Sequence, residues 1–133
     1  RLGSTEIYRV VEALPGVADS LVVDLHREGD PDGEIVLLVV PMPGVMLDEP
    51  LKERIRTQIA TQVSPHHLPD RILAAPAVPR TLSGKKMELP VRRMLQGEPA
   101  SAVMNRDAVE PQGIVEWLEG LAAQSLAADP VSI

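Results

Sequence analysis

Apolar residues at Ile7, Val10, Val11 and Leu14 follow the i, i+3, i+4, i+7 spacing of a single helical face, which predicts an amphipathic helix at the start of the chain. Ser4 is placed to cap it, Glu6 suits its positive end, and Leu14-Pro15-Gly16 stops it. Two apolar runs follow, Ser20 to Leu25 and Glu34 to Val40, separated by Gly29-Asp30-Pro31-Asp32-Gly33. They predict paired antiparallel strands joined by a turn. The second run is apolar at consecutive positions, as expected of a central strand covered on one or both faces. Asp48 and Pro50 open a second helix whose stripe Leu51, Ile55, Ile59 and Val63 ends at Ser64-Pro65. Arg71 to Ala75 reads as a short strand, and Pro90 begins a helix with Val91, Met94 and Leu95 inward, closed by Gly97. Residues 98–110 lack a pattern. Beyond them Ile114, Trp117, Leu118, Leu121 and Leu126 predict a last amphipathic helix, and Ala127 to Ile133 reads as a frayed end. Trp117 has three candidate partners: its own domain, another domain or another subunit. The elements add up to an α+β fold, a small antiparallel sheet flanked by helices.

With 133 residues there is room for one compact domain. The chain lacks Phe and has one Tyr and one Trp, so Val, Leu, Ile, Ala and Met must build the core. The absence of Cys excludes disulfides and thiolate chemistry and fits a cytoplasmic setting. The longest apolar run, Ile35 to Val40, is too short to span a bilayer, so no membrane partner is expected. A net charge of −6 argues against a nucleic-acid partner. Its distribution is uneven. Arg80, Lys85, Lys86, Arg92 and Arg93 face one acid, Glu88, within residues 80–93. That window carries +4 and leaves −10 to the remainder. A compact cationic patch suits a small polyanion, although Arg92 and Arg93 equally suit a solvated helix face.

Inside this window lies Pro79-Arg80-Thr81-Leu82-Ser83-Gly84-Lys85-Lys86. A proline-led turn of small residues allows close backbone approach, and an ammonium on a flexible stem offers a movable positive charge to a reacting phosphate. A Ser-Gly-Lys surface turn with no such role is the plainer alternative. It is not a P-loop, because Pro79 stands where that motif needs glycine, and Ser83 lacks the glycine frame of a nucleophile elbow. His66 and His67 are adjacent and His26 is remote, a poor arrangement for a metal, so none is expected.

Three segments together resemble one family. Arg1-Leu2-Gly3-Ser4-Thr5-Glu6-Ile7 resembles the arginine-glycine-glutamate motif after the hinge of adenylate-forming acyl-CoA synthetases. Ser64-Pro65-His66-His67-Leu68-Pro69-Asp70 resembles their loop before the last strand, and Pro79 to Lys85 resembles their catalytic lysine loop. The continuation Lys86 to Arg93 and the Asn105-Arg106-Asp107 tail look most like the acetoacetyl-CoA synthetase branch. The resemblance implies a mobile C-terminal lid domain over residues 1–97, an extension over 98–133, and an N-terminal ATP- and acid-binding domain absent from this chain. It implies that Lys85 is catalytic in acyl-adenylate formation, with Thr81, Ser83 and Gly84 shaping its loop. It further implies that Arg1 contacts nucleotide phosphate and that Gly3 lines a channel for coenzyme A. ATP, CoA and acetoacetate or another short acid would be substrates, with Mg2+ accompanying ATP at the missing domain and no cofactor held tightly here. By the same resemblance Lys85 is a site of acetylation, which makes a lysine acetyltransferase and a deacylase partners.

The pattern departs from the family at the end of the second helix, where Ala60-Thr61-Gln62 stands in place of an arginine that some relatives direct at the CoA 3′-phosphate. Arg54 or Arg56 could substitute, and nothing in the sequence selects between them. The expectation of a fragment, inactive alone, competes with a freestanding α+β binding module that uses its basic patch and last helix.

Overall fold

The computed structural model describes residues 3–25 and 33–127, with side chains described through residue 124. Arg1, His26, most of the Gly29–Gly33 turn, the Leu126 side chain and the tail after Ala127 lie outside the described residues. The chain divides into two compact units, Arg1–Val78 and Pro79–Ile133. The boundary at 97/98 expected from sequence falls inside the second unit.

The first unit opens with α1 (Ser4–Val11), which buries Ile7, Val10 and Val11. Gly3, not Ser4, occupies its N-cap, and no side chain caps it. Ser4 already lies within the first turn, where Glu6 pairs with Arg9. Strands β1 (Val17–Leu25) and β2 (Glu34–Pro41) then pair antiparallel, with Val22 opposite Leu37 and Leu21 opposite Leu38. Helix α2 (Glu49–Gln62) is capped by Asp48, whose carboxylate accepts from the Leu51 N–H at 3.0 Å. It leads through a short turn, Pro65–His67, into β3 (Arg71–Ala74).

β2 is central, as its doubly apolar pattern predicts, and the sheet order is β1-β2-β3. β3 joins it parallel, with Val36 opposite Arg71. The α+β class therefore holds, with a mixed main sheet in place of an all-antiparallel one. The long helical connection through α2 carries the chain back to the start of β2, which a tight turn could not do. Asp70 sets this register: its N–H donates to the Ile35 carbonyl and its carboxylate accepts from the Ile35 N–H, both at 2.7 Å.

One sheet face, with Val17, Val22, Leu37, Val39 and Ile72, packs on Ile7 and Val11 of α1 and on Leu51, Ile55 and Ile59 of α2. Side chains on the opposite face, including Leu21, Val36 and Leu38, are buried as well. β1 is an edge strand, and α1 helps to satisfy it. The Tyr8 hydroxyl accepts from the Val22 N–H at 3.1 Å, and the buried Ser20 hydroxyl donates to Glu12 at 2.7 Å.

The second unit holds β4 (Arg80–Thr81), α3 (Glu88–Leu95), α4 (Ala100–Val103), β5 (Val109–Glu110) and α5 (Ile114–Ala127). α3 starts two residues before Pro90, which sits in its first turn, and buries Val91, Met94 and Leu95 as predicted. It ends at Gln96, followed by Gly97 at φ +108°. The stretch 98–110 expected to be irregular contains α4, a turn at Arg106–Ala108 and β5, which pairs antiparallel with β4. α5 packs on α3 and turns Ile114, Val115, Leu118 and Ala122 inward, while Trp117 and Leu121 are half-buried at the margin of that face. Among the described residues no helix is long and apolar enough to cross a membrane.

Candidate functional site

The lysine turn is a tight hairpin built by its own residues. Thr81 N–H donates to the Lys85 carbonyl at 2.8 Å, and Gly84 N–H returns to the Thr81 carbonyl at 2.9 Å. Gly84 has φ +93°, in the region that disfavours any side chain, so glycine is required there by backbone conformation. A Cβ at that position would meet nothing within 4 Å, so crowding is not the reason.

Side chains finish the turn. The Thr81 hydroxyl oxygen accepts from the Lys85 N–H at 3.0 Å and lies 3.1 Å from the Ser83 hydroxyl. Arg80 donates from Nη1 to the Gly84 carbonyl at 2.9 Å. Below the turn, Arg80 bridges Lys86 and the Met87 N–H donates to the Pro79 carbonyl at 3.1 Å. The backbone at Lys85 is therefore held from both sides, while its side chain is exposed and forms no ion pair among the described residues. A rigid stalk with a mobile ammonium can meet an anion without first breaking a contact. Thr81, Ser83, Gly84 and Lys85 thus share one hydrogen-bonded turn.

The rest of the basic window is partly engaged within the fold. Arg80 clamps the turn, Lys86 is half-buried with an interaction of its own, and Arg93 makes a two-point ion pair with Glu98 at 2.6 and 2.9 Å. Hydrogen bonding from Arg93 holds the Glu98 carboxyl below its ordinary value and, reciprocally, raises that of Arg93. Of the five cations in the window, Arg80 and Arg93 are thus engaged within the fold, while Arg92 is half-buried and Lys85 is exposed without an ion pair among the described residues.

In the first unit Gly3 is exposed, and a Cβ there would meet nothing within 4 Å. Its φ of −89° is open to any residue. Neither local packing nor backbone geometry demands glycine at this position. On α2, Arg56 pairs with Glu53 at 3.2 Å, whereas Arg54 is exposed without an ion pair among the described residues. His66 and His67 fall on one short turn, and among the described residues no group of three or more His, Asp or Glu side chains converges on a metal-sized site. The roles of Arg80 and of Val109–Glu110 were not anticipated. Arg80 was visible only as a charge, and a two-residue strand leaves no periodic trace.

Comparison with known proteins places these features in a family. A family model described as AMP-binding enzyme C-terminal domain matches residues 6–85. The chain is 34% identical over 113 residues to acetoacetyl-CoA synthetase of Caenorhabditis elegans, covering 83% of this chain and 16% of that protein. It is 36% identical over 121 residues to acetoacetyl-coenzyme A synthetase of Rhizobium meliloti (strain 1021), covering 91% of this chain and 18% of that protein. The solved structure of acetoacetyl-CoA synthetase from Streptomyces lividans superposes with a TM-score of 0.85 at 36% identity, over 93% of this chain and 18% of that one. The chain thus spans less than a fifth of the length of these relatives. With the match covering more than half of the residues and ending on Lys85, the chain belongs to the AMP-binding enzyme C-terminal domain family.

Proposed function

We propose that residues 1–133 act as the C-terminal domain of an ATP-dependent, AMP-forming acid–CoA ligase whose acid is acetoacetate. The observation that carries this reading is the braced turn that presents Lys85, exposed and without an ion pair among the described residues, at the last residue of the family match. In the first half-reaction a carboxylate oxygen attacks the α-phosphorus of ATP and pyrophosphate leaves. Negative charge gathers on the carboxylate, the phosphoryl oxygens and the bridging oxygen. The Lys85 ammonium lies among them and stabilises that crowding more than it stabilises the separated reactants. ATP with its Mg2+, and the acid, are held by a domain that precedes these residues in the longer polypeptide.

In the second half-reaction the thiol of CoA attacks the acyl carbon and AMP leaves. Lys85 has no part in that step. The domain rotates to withdraw it and to bring Gly3 to the channel of the CoA arm. A glycine that neither packing nor φ requires supports a role in clearing space for a ligand. Arg1 contacts phosphate through its guanidinium fork, and of the two α2 arginines we assign the CoA 3′-phosphate to Arg54, which is exposed and has no ion pair among the described residues, whereas Arg56 pairs with Glu53.

The acid is identified by pyrophosphate exchange on the full polypeptide across short acids and 3-oxo acids. Acetoacetate is expected to support the fastest exchange. Equal exchange with acetate or butyrate would remove the acetoacetate assignment while leaving the ligase class intact.

Exposure of Lys85 also opens it to enzymatic acetylation in the cytoplasm, which deletes the charge. Stoichiometric acetylation at Lys85 is expected to suppress adenylation, and treatment with a deacylase to restore it. Retained exchange in protein shown by mass spectrometry to be fully acetylated there would contradict both the regulation and the role.

A further inference from the structure

The lysine turn is braced from a direction that the matched family region does not supply. β4 has two residues, and their backbone groups face opposite ways. Those of Thr81 face the turn, since its N–H donates to Lys85. Those of Arg80 therefore face β5, where Arg80 lies opposite Glu110 and Thr81 opposite Val109. Residues 109 and 110 stand beyond position 85, at which the family match ends.

This second strand is itself anchored. The Val109 side chain is buried, and its carbonyl, facing away from β4, accepts from Gln112 Nε2 at 3.3 Å. Just before it, Arg106 reaches Glu116 at 2.9 Å and Glu119 at 2.6 Å on α5, which packs on α3, the helix that follows the lysine turn. The contacts form a closed circuit: turn, α3, α5, the Arg106 turn, β5, β4 and back to the turn. A two-stranded hairpin is marginal by itself in water, so a third strand fastened to a helix changes how well the turn is held.

We propose that Val109–Glu110, anchored by Arg106 and α5, is a positioning strut for Lys85, so that the segment after the family match sets the geometry of the adenylation lysine. The inference rests on the role proposed for Lys85. Thr81 and Glu110 act through the backbone of the turn and touch no substrate.

The test removes one backbone donor. Glu110→Pro deletes the amide opposite Arg80 while keeping the buried Val109 side chain, and Val109 at φ −116° and ψ 132° already has the extended backbone that a following proline requires. In the full polypeptide, pyrophosphate exchange is expected to fall about tenfold, while thioester formation from supplied acyl-adenylate stays within about twofold of the parent. Glu110→Ala, which keeps the amide, is expected to restore exchange. Lys85→Ala is run beside them. If it retains exchange, the role of Lys85 fails. If it loses exchange while Glu110→Pro does not, the strut fails. A wild-type measurement covers the case in which the proline variant misfolds. Hydrogen exchange of the Glu110 and Lys85 amides should report one shared opening, with protection equal within about threefold. An unprotected Glu110 amide beside a protected Lys85 amide overturns the strut.

Discussion

Lys85→Ala is expected to lower the rate of acyl-adenylate formation about 100- to 1,000-fold, the range found when one oriented charge-stabilising donor is removed from a transition state. The turn that carries Lys85 is held by hydrogen bonds from Thr81, Gly84 and Arg80, none of which involves the lysine side chain. Truncation therefore removes the ammonium and leaves the stalk. Because the side chain is exposed and pairs with no carboxylate among the described residues, folding stability should move by no more than about 0.5 kcal/mol. Lys85→Arg keeps the charge but spreads it over a planar fork of different reach, and should recover only part of the rate. The check is pyrophosphate exchange alongside a denaturant midpoint for each variant. A large loss of stability in Lys85→Ala would mean that the residue has a structural role.

Leu37→Ala should produce the opposite pattern, a large loss of stability with no selectivity between half-reactions. Leu37 lies at the middle of β2, fully buried and packed with Ile7, Ile55 and Ile59. Deleting its side chain loses transfer free energy and leaves a cavity that the central strand of a paired sheet cannot close, a cost of about 2–5 kcal/mol. Against a typical domain stability of about 5–15 kcal/mol this is a large share. Leu37→Met keeps the volume and should cost less than about 1.5 kcal/mol. Urea unfolding of the three proteins tests this through the midpoint at constant slope. If Leu37→Ala cost under 1 kcal/mol, the packing described for the central strand would be wrong.

The elements that were legible in the sequence are those whose burial has a period. The stripes of α1, α2 and α3 appear as the buried sets Ile7-Val10-Val11, Leu51-Ile55-Ile59 and Val91-Met94-Leu95. The consecutive apolar residues of Ile35–Val40 marked β2 as central. What failed to show was non-local or very short. The direction of β3 depends on where α2 delivers the chain, which the four residues Arg71–Ala74 do not encode. β4 and β5 are two residues each and meet across 28 positions of chain, so neither carries an alternation. On α5 the inward face includes the small Ala122, while Trp117 and Leu121 sit at its margin, because residue size is a poorer guide than position on the helix.

At the site, the lysine turn was legible because small and turn-forming residues leave few other readings. The fate of the surrounding charges was not. Glu98, which pairs with Arg93, stands just outside the basic window, and the acceptor for Arg80 is a backbone carbonyl, invisible to any count of charges. Engagement within the fold thus separates Lys85 from Arg80 and Arg93.

The proposed division of labour is tested most directly by assaying both half-reactions on one preparation of the full polypeptide carrying Lys85→Ala. Pyrophosphate exchange with acetoacetate should be lost, whereas release of AMP and formation of the thioester from supplied acetoacetyl-adenylate and CoA should continue near the parent rate. Loss of both reactions to the same extent, in protein whose unfolding midpoint is unchanged, would contradict a lysine that serves adenylation alone.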